Sequence, residues 1–204
     1  MSRYVSDIAF TPTVKSEQEK RGSRKGYQTM ADKRDWPDKI TDDLRAYLAE
    51  RDSFYIATTN SAGQPYIQHR GGPKGFIKIV GDQTLAIADF AGNRQYITLG
   101  NLNENDKVAL FFMDYPNRHR IKMWGRARFV EDDAELLESL TDSDYEGRAE
   151  RALVIAIEAW DVNCSQHITP RLDGEQIAQV SETLMTRIAE LEAENAKLKA
   201  QLAS

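Results

Sequence analysis

Cysteine is almost absent from this sequence. A single one, Cys164, stands among 204 residues, which excludes an intrachain disulfide and a metal cluster built on cysteine. Long apolar runs are missing as well: no stretch approaches the ~20 residues of a membrane span. The opening segment, MSRYVSDIAFTPTVK, lacks the hydrophobic stretch of a secretory signal. Basic residues are outnumbered, 27 Lys and Arg against 32 Asp and Glu, for a net charge of −5. That balance argues against nucleic acid as the main partner. Together these absences lead us to expect a soluble cytoplasmic protein. What is present supports a core, since 41% of residues are hydrophobic and 29% charged, as in ordinary globular domains.

The chain reads in three parts. Residues 1–38 are polar and charged without a clear period, as in KSEQEKRGSRKGYQTM, and read as an arm lying on the surface of another body. Residues 39–172 form the expected main domain, which opens with a helix. There Thr41 caps ahead of Asp42 and Asp43, and Ile40, Leu44, Tyr47 and Leu48 make one apolar face. From Ser53 to Asp161 come about seven short strands: SFYIATTN, PYIQHR, FIKIV, TLAIAD, KVALFFMDY, RIKMWGRARFV and RALVIAIEAWD. Only two short helices interrupt them, one after Asn93 and one in DDAELLESL. Many short strands with brief helical interruptions predict a mainly β, α+β fold, a closed or nearly closed antiparallel barrel.

The third part, 175–204, is a long helix. Ile177, Leu184, Leu191 and Leu198 take the d positions of one heptad register, and Ser181, Ile188, Asn195 and Leu202 take a. Asparagine at a is a device that fixes two-stranded pairing, and the g and e residues Arg187 with Glu192, and Glu194 with Lys199, would face each other with opposite sign in a parallel pair. This predicts a self-paired zipper, with a helix lying on its own barrel as the alternative.

The stretch DFAGNRQYITLGNL carries the chemistry. A strand ends in a Gly-Asn-Arg-Gln cluster and opens into a short helix, whose N-terminal N–H groups form a ready anion site. In this reading Gly92 allows a tight turn and close ligand approach. Asn93 caps the helix, and Arg94 adds forked donors that match a phosphate. Other basic residues flank it in neighbouring strands: Arg70, Lys74 and Lys78 before, Arg118, Arg120, Lys122 and Arg126 after. Outward-facing, solvated positions are the alternative for Lys78, Lys122 and Arg126. In NCSQHIT, Cys164 and His167 lie close enough for a thiolate–imidazole pair or half a metal site. The preferred reading is a loop that supplies Asn163, Gln166 or His167 as hydrogen-bond donors, with Cys164 a small packed residue.

From about Phe54 to Trp160 the order of these motifs resembles the pyridoxamine 5′-phosphate oxidase-like, FMN-binding split-barrel family. The landmarks are the strand, the Gly-Asn-Arg-Gln turn, the short helix ending near Asn, an apolar strand, and then a strand with a polar residue five before Gly125. FTPTVKSEQEKRGSR and WDVNCSQHIT look like one flavin-nucleotide-binding branch of it. The resemblance implies a homodimer with FMN at the subunit interface; the heptads of the terminal helix could join such dimers further. It implies that Arg94 and Gln95 hold the ribityl phosphate, and that Ala88 and Asp89 lie beside the ring system. Arg70 or Lys78 supplies a basic contact. Arg120 reaches from the partner subunit toward the flavin pyrimidine, and Trp160 is an aromatic near the flavin. The activity implied is flavin-dependent oxidoreduction of an unidentified small molecule. A non-catalytic flavin-nucleotide carrier, or a haem- or deazaflavin-using relative, is the alternative. One segment departs from the family: PRLDGEQ offers Arg171 and Leu172 but lacks the second arginine that grips the substrate phosphate in true pyridoxamine phosphate oxidases. That argues against pyridoxamine phosphate as substrate.

Overall fold

The computed structural model describes residues 4–142, 145–162 and 165–202. These fall into two compact units. The first runs to Asp114 and resumes over His119–Ser165; the second comprises Tyr115–Arg118 and the chain from Gln166 onward.

The first unit is built on seven antiparallel strands: β1 (Ser53–Thr59), β2 (Pro65–Gly71), β3 (Lys78–Gly81), β4 (Thr84–Phe90), β5 (Lys107–Asp114), β6 (His119–Val130) and β7 (Ala149–Val162). They follow the order β2-β1-β5-β6-β7-β4-β3. The sheet curls around its apolar side, while its two edge strands, β2 and β3, are not hydrogen-bonded to each other among the described residues, so the barrel is split. All seven strands occur where the alternation predicts them.

Period-2 patterning decides which side chains go inside. Phe54 and Ile56 of β1, Leu110 and Phe112 of β5, and Ile121 and Met123 of β6 fill the interior together with Leu85, Ile87, Leu153 and Ile155 of β4 and β7. Helix α3 (Asp42–Ala49) adds Leu44 and Leu48 to this core. Its Thr41 cap is as expected: the hydroxyl accepts from the Leu44 N–H at 3.2 Å. On the opposite face of β4 and β7, Ala86, Ala88 and Ala152 make a second cluster with Leu140 of α5 (Ala134–Leu140).

A bulge lies between β6 and β7, where Trp124 pairs with Ala159 but Gly125 pairs with Ile157. A Cβ on Gly125 would lie 2.1 Å from the Ala156 carbonyl oxygen, so only glycine fits there. The bulge changes the parity of β7, and Trp160 turns inward opposite Met123.

The arm contains two helices that its weak period does not announce, α1 (Pro12–Lys20) and α2 (Arg24–Arg34). It lies on this chain's own barrel. Phe10 contacts the rings of Tyr27 and Trp36 with centroids 5.2 and 5.0 Å away, and Trp36 stacks on Trp124 of β6 at 5.0 Å. The Asp35 carboxylate accepts from the N–H groups of Val5 and Ser6.

In the second unit, α6 (Gly174–Leu202) begins with a reciprocal capping box. Asp173 accepts from the Gln176 N–H at 2.8 Å, and the Gln176 side chain accepts from the Asp173 N–H at 3.1 Å. None of its described residues is buried. Arg171 sits over the Tyr115 ring, 4.5 Å from its centroid.

Candidate functional site

On the open side of the barrel, β2, β4, β7 and the segment before α4 (Ile97–Glu104) enclose a polar cavity of about 250 Å³. Ligand pockets usually hold roughly 300–1,000 Å³, so this cavity lies just below that range. Strand parity explains its lining. On β2, Tyr66, Gln68 and Arg70 share the interior face, Arg70 being paired with core residue Phe54. On β4 and β7, Asp89 and Arg151 are partners in register and follow the inward parity of Leu85, Ile87, Leu153 and Ile155. Where the apolar core ends, the inward positions become charged.

These charges are organised around Asp89. One carboxylate oxygen accepts from Arg70, and the other accepts from Arg151 Nε at 2.8 Å. Each nitrogen of the Arg151 side chain has a carboxylate partner. Its terminal nitrogens donate to Glu131 at 2.9 Å and Glu150 at 3.2 Å, and its guanidinium lies 5.4 Å from the ring centroids of both Tyr96 and Phe129. Burial penalises its charge, but the bonds to Asp89 and Glu131 outweigh this and hold its pKa above the usual arginine range. Arg70 is not saturated: its Nε is buried without a hydrogen-bond partner among the described residues. Burial of an unpaired donor is costly, and a ligand oxygen would remove that cost.

The Gly-Asn-Arg-Gln segment lines the same cavity, with a geometry different from the one expected. The helix begins at Ile97, with Tyr96 as its N-cap. Asn93 is therefore not the cap. Its Oδ1 accepts from the Gln95 N–H at 3.2 Å and closes a local turn. The left-handed residues are Arg94 (φ 59°) and Tyr96 (φ 54°), whereas Gly92 has no positive φ. A Cβ on Gly92 would meet nothing within 4 Å, so glycine is not needed there for the turn. Non-glycine residues in this region are strained by about 1–2 kcal/mol each, a cost that recurs at ligand-binding segments. Tyr96 provides no side-chain cap, which leaves the first-turn N–H groups of α4 without one. Arg94 is exposed and pairs with no side chain among the described residues.

Of the residues singled out in the sequence, the cavity brings together Arg70, Asp89, Asn93, Arg94 and Gln95. Other expected residues lie elsewhere. Ala88 alternates to the opposite face from Asp89 and is buried in the second cluster near α5. Lys78 pairs with Ala86 and shares that outward parity. Trp160 is in the core, and its Nε1 donates to the Lys39 carbonyl at 2.8 Å. Arg120 pairs with Met113 on the outer face of β6, outside this cavity; its Nε is likewise buried without a partner among the described residues. Lys122 and Arg126 are outward, held by Asp161 at 3.2 Å and by Asp106 and Glu158 at 2.7 and 2.9 Å. Gln166 and His167 belong to the second unit, His167 with φ 62°. Asn163 and Cys164 lie outside the described residues. Sequence reasoning missed Arg151, although an arginine at inward parity, two residues before Leu153 and four before Ile155, is a readable signal.

The outer face of the same sheet is apolar. Ile67, Ala57, Ala109 and Trp124 align across β2, β1, β5 and β6, with Tyr55 and Phe111 beside them, around a cavity of about 290 Å³. Ile67 is 67% exposed.

Seven antiparallel strands with unjoined edges, and a basic cavity at the open side, define a split-barrel protein. Residues 40–164 match the family model for pyridoxamine 5′-phosphate oxidase, more than half of the chain, and the chain belongs to that family. No curated protein matches it. Among solved structures, HupZ of Group A Streptococcus is 18% identical, covers 65% of this chain and 99% of its own, and superposes with a TM-score of 0.50, a likeness of fold alone. An FMN-binding protein from Syntrophomonas wolfei subsp. wolfei is 16% identical over 72% of this chain and 97% of its own, with a TM-score of 0.49. HutZ, the haem storage protein of Vibrio cholerae, is 15% identical over 61% and 94%, with a TM-score of 0.41.

Proposed function

We propose that this chain is a cytoplasmic FMN-binding protein that acts as a homodimer in flavin-dependent oxidoreduction of a small molecule. The observation that carries the reading is the pair of under-used guanidinium groups in one cavity: among the described residues, exposed Arg94 has no side-chain partner and Arg70 has a buried Nε without a hydrogen bond. Both suit a phosphate monoester. Asp89 fixes Arg70 in place, and Arg151 fixes Asp89. Arg94, Arg70 and the Gln95 segment would hold the phosphate of FMN, the cofactor implied by the family resemblance. When bound, the flavin supplies electron- and hydride-transfer chemistry; the chain's part is to bind and orient it. The dimer reading draws on the apolar strip of the outer face. Arg120 shares that face and would contribute its guanidinium to the partner's cofactor.

A second reading, a flavin-nucleotide carrier without turnover, draws support from Arg171. It lies against Tyr115, and no second arginine follows it in PRLDGEQ to form a substrate-phosphate grip.

Titration of the purified protein with FMN and with riboflavin tests the proposal. Arg94→Ala should weaken FMN by roughly 1.5–3 kcal/mol, the scale of a charge-assisted hydrogen bond, or about 10–150-fold in Kd. Riboflavin, which lacks the phosphate, should lose much less. Equal losses would remove Arg94 from the phosphate. A Soret band or a colourless protein after reconstitution with FMN would overturn the cofactor assignment.

A further inference from the structure

Helix α6 carries an apolar stripe that nothing in its own unit buries. Its large apolar side chains, Ile177, Val180, Leu184, Met185, Ile188, Leu191, Leu198 and Leu202, are 46–88% exposed. In the register with Ile177 at d, all of them fall on a, d, e or g. The b, c and f positions hold only Glu, Gln, Thr, Lys and Ala. A helix that merely sat in solvent would have no reason to collect every large apolar residue on one seam.

We infer that α6 is one strand of a parallel, two-stranded coiled coil whose other strand is the α6 of a second copy of this chain. The inference is independent of the cofactor reading. Three features select this occupant. Charge complementarity comes first: with parallel pairing, g faces the following e of the second strand, so Arg187 meets Glu192 and Glu194 meets Lys199 of the other copy. Arg187 now holds Glu190 of its own helix at 2.7 Å, but both side chains are mostly exposed, and such a pair is worth little. Next, the one preceding g–e pair, Val180 with Met185, is apolar on both sides and widens the seam where charges are lacking. Last, Asn195 sets orientation. Parallel pairing puts a against a, so the two Asn195 amides can bond each other; antiparallel pairing puts a against d and leaves each amide buried against a leucine. The 29 residues of α6 span about 43 Å, four heptads of seam.

Cross-linking of the full chain tests this. In a Cys164→Ser background, Ser181→Cys places a thiol at a, and Gln179→Cys places one at f on the far side of the helix. Both substitutions are at exposed positions of the helix. Paired seams hold the a thiols at millimolar effective concentration, against micromolar protein. Ser181→Cys should therefore form disulfide-linked dimers about 100-fold faster than Gln179→Cys under mild oxidation. Adding Leu191→Asp should abolish that advantage. Equal rates for the two cysteine variants would overturn the inference, as would an advantage that survives Leu191→Asp.

Discussion

Asp89→Asn separates two properties of the basic cavity, its own stability and the anion binding proposed for it. The substitution preserves shape and removes one charge. Asp89 is 7% exposed, and the side chains of Arg70 and Arg151 are 14% and 10% exposed. Removing one partner of a buried ion pair costs about 3–5 kcal/mol, because the remaining charge loses its compensation. Arg151 keeps Glu131 and Glu150, so only Arg70 is left without a carboxylate. The loss should therefore fall at the low end, about 3 kcal/mol, or a Tm lower by about 6–12 °C for a chain of this size. Anion binding should change in the opposite sense, since the variant cavity is one unit more positive. Urea unfolding measured beside titration with FMN would read both quantities. A stability loss below about 1 kcal/mol would refute the buried-cluster reasoning. A tenfold loss of FMN affinity in a variant that still folds would refute the expected gain and mean that the Asp89 carboxylate is needed to hold Arg70 toward the ligand.

Two further outcomes follow from other parts of the first unit. The Tyr47 hydroxyl is buried without a partner among the described residues, so Tyr47→Phe should be neutral or stabilising by up to about 1–2 kcal/mol at pH 7. Burial also pushes the Tyr47 pKa from 10.0 up to about 12, with Arg51 opposing and Asp114 adding to the shift. The folded state then favours the protonated phenol: the wild type should lose stability as pH rises from about 10 to 12, and Tyr47→Phe should lose less, as alkaline unfolding curves would show. For the outer face, Ile67→Asp should leave the folded chain intact, since Ile67 is largely exposed within one chain, but should reduce the mass measured by light scattering to that of smaller species. An unchanged mass would exclude this face as an interface.

Much of the fold was legible because a barrel writes itself as alternation. β1 and β5 alternate buried and less buried positions along their lengths, as their sequences do. The same rule, applied strictly, separates Ala88 from Asp89, and Arg151 from Ala152. The site was less legible where local geometry departs from simple periods. Asn93 has the right chemistry for a helix cap, but the left-handed turns at Arg94 and Tyr96 delay the helix to Ile97. Trp160 turns into the core because a bulge adds one residue to β7 opposite Gly125, and that insertion leaves little trace beyond the glycine itself. Helices α1 and α2 were hidden for another reason. They bury little of their own, Ala31 being their sole buried residue, and the arm is held by Phe10, Tyr27 and Trp36, contacts that lie far apart in sequence.

The two Nε groups that lack a partner among the described residues, in Arg70 and Arg120, point to the same proposed dimer from opposite faces of one sheet. Arg70 has interior parity and opens toward the cavity; Arg120 has exterior parity, on the face that carries Tyr55, Phe111 and Trp124. Period-2 geometry prevents one chain from turning both side chains toward a single ligand from these positions. A buried donor without a partner is nevertheless costly at each. In the proposed dimer the conflict disappears, because a second copy covers the outer face and brings its own cavity to Arg120. The modest volume of the single-chain cavity fits the same arrangement. Cofactor affinity and self-association should then be coupled: any change that loosens the outer face should weaken FMN even though no residue of the proposed phosphate cradle has been touched. By linkage, FMN should tighten the association by the same factor.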